Sequence, residues 1–288
     1  MVYLLALTSA AVYGAADFLG GLASRRTNTV AVVLVSQFAG MILLAILLPL
    51  FPAGAPSAQD LMWGGLAGLA GGSGVALLYR ALAVGRMGVV APTTAVLAVM
   101  IPVAASVILG ERPAPRVLGG IALALVAIVL VSQQPDQTRP HAWRGSAGIA
   151  LPAGIGLALM SGVAIGLFFL ALARTSASAG LWPLLAARVV SVTVFGAMAL
   201  ATARSLRMAA PVATMAVGGG ALDMLANALY LIASRVGPLS VVVTLASLYP
   251  ASTLALARLV LGERLSSWQI AGIVCALVAV VLIVGATA

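Results

Sequence analysis

The sequence predicts an all-α integral membrane protein of ten transmembrane helices, arranged as a 5+5 inverted repeat. Three observations carry that prediction. The 288 residues are 63% hydrophobic and only 7% charged, with a mean hydropathy of +1.19, more apolar surface than a soluble globule of this size can bury. Ten mostly apolar stretches of about 20 residues, the length that crosses a bilayer core, lie between Gly/Pro/Ser and Arg clusters. Finally, Leu109-Gly110-Glu111-Arg112 returns 152 residues later as Leu261-Gly262-Glu263-Arg264, and residues 109–131 and 261–283 are identical at 12 of 23 positions.

The first stretch, 2–23, follows no charged segment and contains Asp17, so it reads as a retained span rather than a cleaved signal. The second, 29–51, begins after Arg25 and Arg26. The third, 61–84, carries Gly64, Gly68 and Gly72 at the spacing that lets helix backbones approach closely. Segment 89–109 ends in the first Leu-Gly-Glu-Arg motif, and 115–132 ends where the longest polar run, Ser132 to Arg144, begins. That run reads as a linker and divides the chain into a first repeat over 1–134, a linker over 135–144 and a second repeat over 145–288. Segment 146–172 carries Gly162 and Gly166; 178–203 holds Arg188; 210–234 holds Asp223. Segment 238–261 ends in the second motif, and 267–286 contains Cys275. Five spans per half is an odd number, so the second half enters the membrane upside down relative to the first.

Charge distribution sets orientation and excludes several classes. The 15 basic residues are all Arg and the net charge is +9, which suits loops meeting anionic headgroups rather than a nucleic-acid face. Arg25, Arg26, Arg86, Arg139, Arg144, Arg204, Arg207 and Arg264 fall in one set of loops, and Arg112, Arg116, Arg174 and Arg235 in the other. The first set is therefore expected in the cytoplasm, with both termini outside. Without lysine there is no P-loop, and one His (His141, in the linker) and one Cys leave no zinc set and no internal disulfide. No metal or cofactor is expected.

Ionisable residues inside spans are costly and point to function. Asp17, Arg188 and Asp223 lie deep, whereas Arg80 and Arg258 lie near span ends, where long side chains snorkel to the headgroups. Asn227 and Tyr230 follow Asp223 at helical spacing, and Tyr13 precedes Asp17 by one turn. Two polar faces from opposite halves thus line one central cavity, the place where repeat-built carriers hold substrate. A buried ion pair between Arg188 and either carboxylate, serving packing alone, is the alternative. Desolvation disfavours a charged carboxylate, which makes Asp17 and Asp223 candidates to load and release a coupling proton. Arg188 is suited to a substrate carboxylate, and a zwitterionic amino acid fits a site holding both signs. Pro92, Thr93 and Thr94, and Ser247, Tyr249, Pro250, Ser252 and Thr253, place prolines and hydroxyls within spans, where helices bend or hydroxyls pack. Glu111 and Glu263 read as structural, pairing beside Arg112 and Arg264 at a tight turn.

These residues resemble those of the EamA family of ten-helix transporters in the drug/metabolite transporter superfamily. The likeness covers nearly the whole chain. It is carried by the two Leu-Gly-Glu-Arg motifs with Gly120 and Gly272 eight residues after each Arg, by Tyr-Gly-Ala-Ala-Asp-Phe at 13–18, and by Leu78-Tyr79-Arg80-Ala81-Leu82 leading through Gly85 to Pro92. The resemblance implies an inverted repeat around a central cavity and export of amino acids or other small metabolites. It also implies site roles for the second and seventh spans, where the family often carries Arg; this chain has Gln37 and Arg188. Pro250 stands at the family's proline before the second motif, while the equivalent position in the first half is Ala98, with Pro102 one turn later.

The expected substrate-binding set is therefore Tyr13, Asp17, Gln37, Arg188, Asp223, Asn227 and Tyr230, serving a small metabolite and a proton. Expected surroundings are a lipid bilayer, in the multi-pass setting of a plasma membrane such as the bacterial inner membrane, as monomer or homodimer. Uptake by the same fold is the nearest alternative. An intramembrane aspartyl protease would need two embedded carboxylates, which Asp17 and Asp223 supply, but Asp223 follows Gly220-Ala221-Leu222 rather than Gly-x-Gly.

Overall fold

In a computed structural model, residues 1–51, 54–85, 87–132, 154–202, 206–261 and 266–285 are described. Among them there are helices and turns and no strand. The helices are α1 (Val2–Ser24), α2 (Thr29–Leu47), α3 (Ala58–Val84), α4 (Met87–Ile108), α5 (Pro115–Ser132), α6 (Ile155–Ala173), α7 (Trp182–Ala201), α8 (Ala210–Val236), α9 (Leu239–Ala246), α10 (Tyr249–Leu261) and α11 (Ser267–Gly285). The expected linker with Arg139, His141 and Arg144, and also Arg86, Arg204, Glu263 and Arg264, lie outside the described residues.

Each expected span meets a helix, but seven are long and apolar enough to cross a membrane: α1, α2 with its 3-10 extension, α3, α6, α7, α8, and α9 with α10 taken together. Shorter apolar helices cover Thr93–Ile108, Pro115–Leu130 and Ser267–Ile283. Boundaries move where local chemistry intervenes. The third helix starts before residue 61 because Ser57 caps it: Asp60 N donates to Ser57 Oγ (3.1 Å) and Ser57 N donates back to Asp60 Oδ2 (3.1 Å), the reciprocal capping box. Asp60 also accepts from Ser176 N at 2.7 Å, tying that end to the loop before α7.

The ninth expected span is broken. A turn at Ser247 and Leu248 separates α9 from α10. Pro250 lacks the amide hydrogen that would continue the ladder. Its first-half counterpart, α4, runs unbroken past Pro92 and Pro102. The hydroxyls after the break grip α1: Ser252 Oγ donates to Ala10 O and Thr253 Oγ1 to Gly14 O, both at 3.1 Å.

Helix packing repeats itself when the halves are exchanged. The pair α1 with α8 mirrors α6 with α3; α2 with α8 mirrors α7 with α3; α1 with α9 and α10 mirrors α6 with α4; and α2 with α7, α5 with α11, and α4 with α9 join like to like. Glycine contacts follow the same rule. A Cβ on Gly68 would lie 2.7 Å from Ala187 Cα, and one on Gly220 would lie 2.6 Å from Ser36 Cα. Gly14 is pressed to Tyr249 and Thr253 as Gly166 is to Leu97 and Ile101. Gly64, Gly68 and Gly72 meet Pro183, Ala187 and Ser191 at matching intervals of four, so α3 and α7 touch backbone to backbone along two turns. Outward positions are apolar: Ile46, Ile108, Leu200 and Val281 are all exposed, as a lipid-facing surface requires.

Glu111, at the turn after α4, does not pair with Arg112 as expected. Its carboxylate accepts from the Ser240 hydroxyl and from Ser240 N at 3.3 Å. The first Leu-Gly-Glu-Arg motif therefore fastens the end of α4 to the start of α9 in the other half. Glycine packing of this kind makes a sharp prediction. Gly68→Val should cost about 1–3 kcal/mol or more through overpacking, read as a lower unfolding midpoint in detergent. Gly119→Ala, where no atom lies within 4 Å of the added carbon, should leave the midpoint unchanged.

Candidate functional site

The glycine contacts bring α3 and α7, and α2 and α8, close enough to leave a narrow cavity between the halves. Its wall includes Tyr13, Asp17, Gln37, Arg188, Asp223 and Asn227. Six of the seven expected site residues thus meet in one place. They arrive from four helices: Tyr13 and Asp17 from α1, Gln37 from α2, Arg188 from α7, and Asp223 and Asn227 from α8.

A continuous polar chain runs through them. Arg188 Nη1 donates to Gln37 Oε1, and Arg188 Nη2 forms an ion pair with Asp223 Oδ2. Ser191, one turn beyond Arg188, donates to the same Gln37 oxygen at 3.0 Å. Asn227 Nδ2 donates to Asp223 O at 2.6 Å and to Oδ2 at 3.1 Å, and Tyr13 Oη donates to Asn227 Oδ1 at 2.8 Å. The third guanidinium nitrogen, Nε, lies 3.4 Å from Met224 Sδ. The guanidinium is planar and its donors are fixed in a fork, so these partners hold Arg188 in one orientation.

Asp17 stands apart. It is 8% exposed, lines the cavity, and among the described residues has no hydrogen-bond or ion-pair partner. Arg188 thus pairs with Asp223 and not with Asp17. With both aspartates ionised the cavity carries two negative charges against one positive.

Tyr230 is a correction. It shares the Asp223 face of α8, but it is fully buried behind Phe169, its hydroxyl donating to Phe169 O at 3.3 Å with the rings 4.4 Å apart. It does not reach the cavity. Arg80 and Arg258 are exposed near helix ends, as snorkelling side chains are.

Residues outside the expected substrate-binding set complete the wall. Phe168 and Phe169 of α6, Ile165, Val75, and Gly68, Gly71 and Gly72 of α3 line it, with Tyr249 at the start of α10. At the repeat offset of 152 the lining positions pair up: Tyr13 with Ile165, Asp17 with Phe169, Asp223 with Gly71, and Asn227 with Val75. One wall, from α1 and α8, is polar; its repeat-mate, from α6 and α3, is apolar. Among the described residues no group of His, Cys, Asp or Glu could hold a metal ion.

The model of the EamA-like transporter family matches residues 1–133 and 152–285, so the chain belongs to that family. None of the curated proteins matches it. A solved structure described only as "Crystal structure of protein" is similar in fold, with a TM-score of 0.69 and 16% identity over 98% of this chain and 95% of that one. Family, apolar helices and lipid-suited exterior together make this a multi-pass membrane transporter of a small molecule.

Removing one member of a buried ion pair strands the other charge. Arg188→Met is expected to cost about 3–5 kcal/mol of stability, and adding Asp223→Asn should recover most of it, measured as unfolding midpoints in detergent. Losses that simply add would mean that the two side chains do not act as a pair.

Proposed function

We propose that this member of the EamA-like transporter family is a secondary carrier of ten spans in a 5+5 inverted repeat, exporting amino acids or other small metabolites by alternating access across a bacterial inner membrane. The observation that carries the reading is the cavity between the halves, where Asp17, Gln37, Arg188, Asp223 and Asn227 converge from four helices. Hydrocarbon surroundings make such a cluster expensive unless it serves a ligand or ion.

The packing supports an inverted repeat, since exchange of halves returns the same helix neighbours and an odd number of spans per half reverses orientation. Alternating access then amounts to rocking one set of helices against the other around the fixed cavity. The break between α9 and α10 is the point where such motion finds little helical resistance. Proton coupling falls to Asp17 first, because its carboxylate is uncommitted; Asp223 can take part only as its pair with Arg188 opens. That pair also argues against a protease, whose two carboxylates must share a proton.

Metabolites outside cells overproducing the wild type, Asp17→Asn, Asp223→Asn or no carrier, at matched membrane levels, test the proposal. Compounds enriched outside with the wild type and reduced with either variant are expected. Four identical profiles would sink constitutive export and shift attention to uptake.

A further inference from the structure

The charge balance of the cavity narrows what it can hold. Arg188 is committed, donating to Asp223 and Gln37, with its remaining Nε against Met224 Sδ. Asp223 is likewise occupied by Arg188 and Asn227. Two polar side chains on the cavity wall make no hydrogen bond or ion pair among the described residues. They are the Asp17 carboxylate, 8% exposed, and the Tyr249 hydroxyl, whose residue is 3% exposed. An unpaired carboxylate this deep in a membrane protein calls for a positive partner.

Facing these groups, the wall from α6 and α3 offers hydrocarbon and rings. Phe168 and Phe169 lie 5.4 Å apart, and the Tyr13 ring stands edge-on to Phe169 at 6.1 Å and to Tyr249 at 6.5 Å. Aromatic faces attract a cation and pack an apolar body equally well.

We infer that the site takes a monovalent organic ammonium, a protonated amine on an apolar, ring-sized body, with the nitrogen at Asp17 and the body against Phe168, Phe169 and Ile165. A zwitterionic amino acid fits less well, because its carboxylate finds no free cation while Arg188 is bound by Asp223. The inference rests on the transport reading of the cavity and narrows its substrate from small metabolites to amines. Since one carboxylate cannot hold a proton and an ammonium at once, the two compete for Asp17.

Three probes share one ring and differ in charge: phenethylamine, phenylalanine and 3-phenylpropionate. Calorimetric binding to the purified full-length protein should show phenethylamine about tenfold or more tighter than the other two, the worth of one charge-assisted contact. Asp17→Asn should lose that preference, and Asp17→Glu, which keeps the charge, should retain it even where the Asn variant folds poorly. Phenethylamine affinity should fall as pH is lowered, because protonated Asp17 cannot pair. The other groups within electrostatic reach of Asp17 are Asp223 on α8, Tyr79 on α3, Tyr249 on α10 and Tyr13 on α1; Arg188 on α7 is turned to Asp223. Equal or tighter binding of phenylalanine, unchanged affinity in Asp17→Asn, or no saturable binding of phenethylamine overturns the inference. Reconstituted vesicles separate it from the transport reading. Phenethylamine bound at Asp17 but never carried sinks transport and leaves the amine site standing, whereas phenylalanine carried without regard to Asp17 does the reverse.

Discussion

The buried pair of Arg188 and Asp223 is the constraint on which the centre of this molecule depends. A guanidinium in a hydrocarbon setting must be matched in charge and in hydrogen bonds, and here the matching groups come from α2 and α8 while Arg188 itself sits on α7. Those three helices can meet around one side chain because small residues let them close up. Gly220 rests on the Ser36 backbone, and Gly68 rests on Ala187, the residue before Arg188. A larger residue at either glycine would push apart the helices that hold the pair. Packing and polarity are therefore one design, with the glycines setting a distance that the ion pair requires.

From that centre the polar chain extends through Asn227 to Tyr13, and so reaches α1, where Asp17 lies one turn further along. Asn227 acts as a joint. Its amide nitrogen is spent on Asp223 and its oxygen on Tyr13, which orients α8 against α1 without using the Asp17 carboxylate. A linked network beside an acid that takes no part in it is what a binding site needs: the network fixes the wall, and the acid remains available.

Much of this was legible in the sequence, and the rest was hidden for identifiable reasons. Charged residues deep in apolar stretches are so costly that Asp17, Arg188 and Asp223 stood out unaided, and the doubled motif exposed the repeat. Tyr230 misled because it does share a face with Asp223. Seven residues along a helix, though, is about 10 Å of rise, which carries it past the cavity to the level where Phe169 covers it. Glu111 misled in the opposite way, since its sequence neighbour Arg112 offers a pair while its real partner, Ser240, lies 129 residues on. The apolar wall could not be read at all. Ile165, Phe168 and Phe169 are ordinary span residues until α6 is placed against α3, and the break at Ser247 shows in sequence only as a proline that α4 also has and tolerates.

Duplication imposes a further condition on residues near the exchange axis, and Gln37 meets it. Helices α2 and α7 are repeat-mates that pack on each other. Gly220 on Ser36 and Gly68 on Ala187 align them with an offset of 151, which makes Gln37 the counterpart of Arg188. A residue at such a place touches its own copy. Two arginines there would set like charges together around the single carboxylate of Asp223, since the position equivalent to Asp223 in the first half is Gly71. Glutamine removes the repulsion and adds an acceptor, and Gln37 Oε1 takes hydrogen bonds from both Arg188 and Ser191. The same asymmetry recurs along the cavity, with Asp17 opposed to Phe169 and Asn227 to Val75. The repeat supplies a symmetric frame, and the chemistry resides where the two copies have diverged.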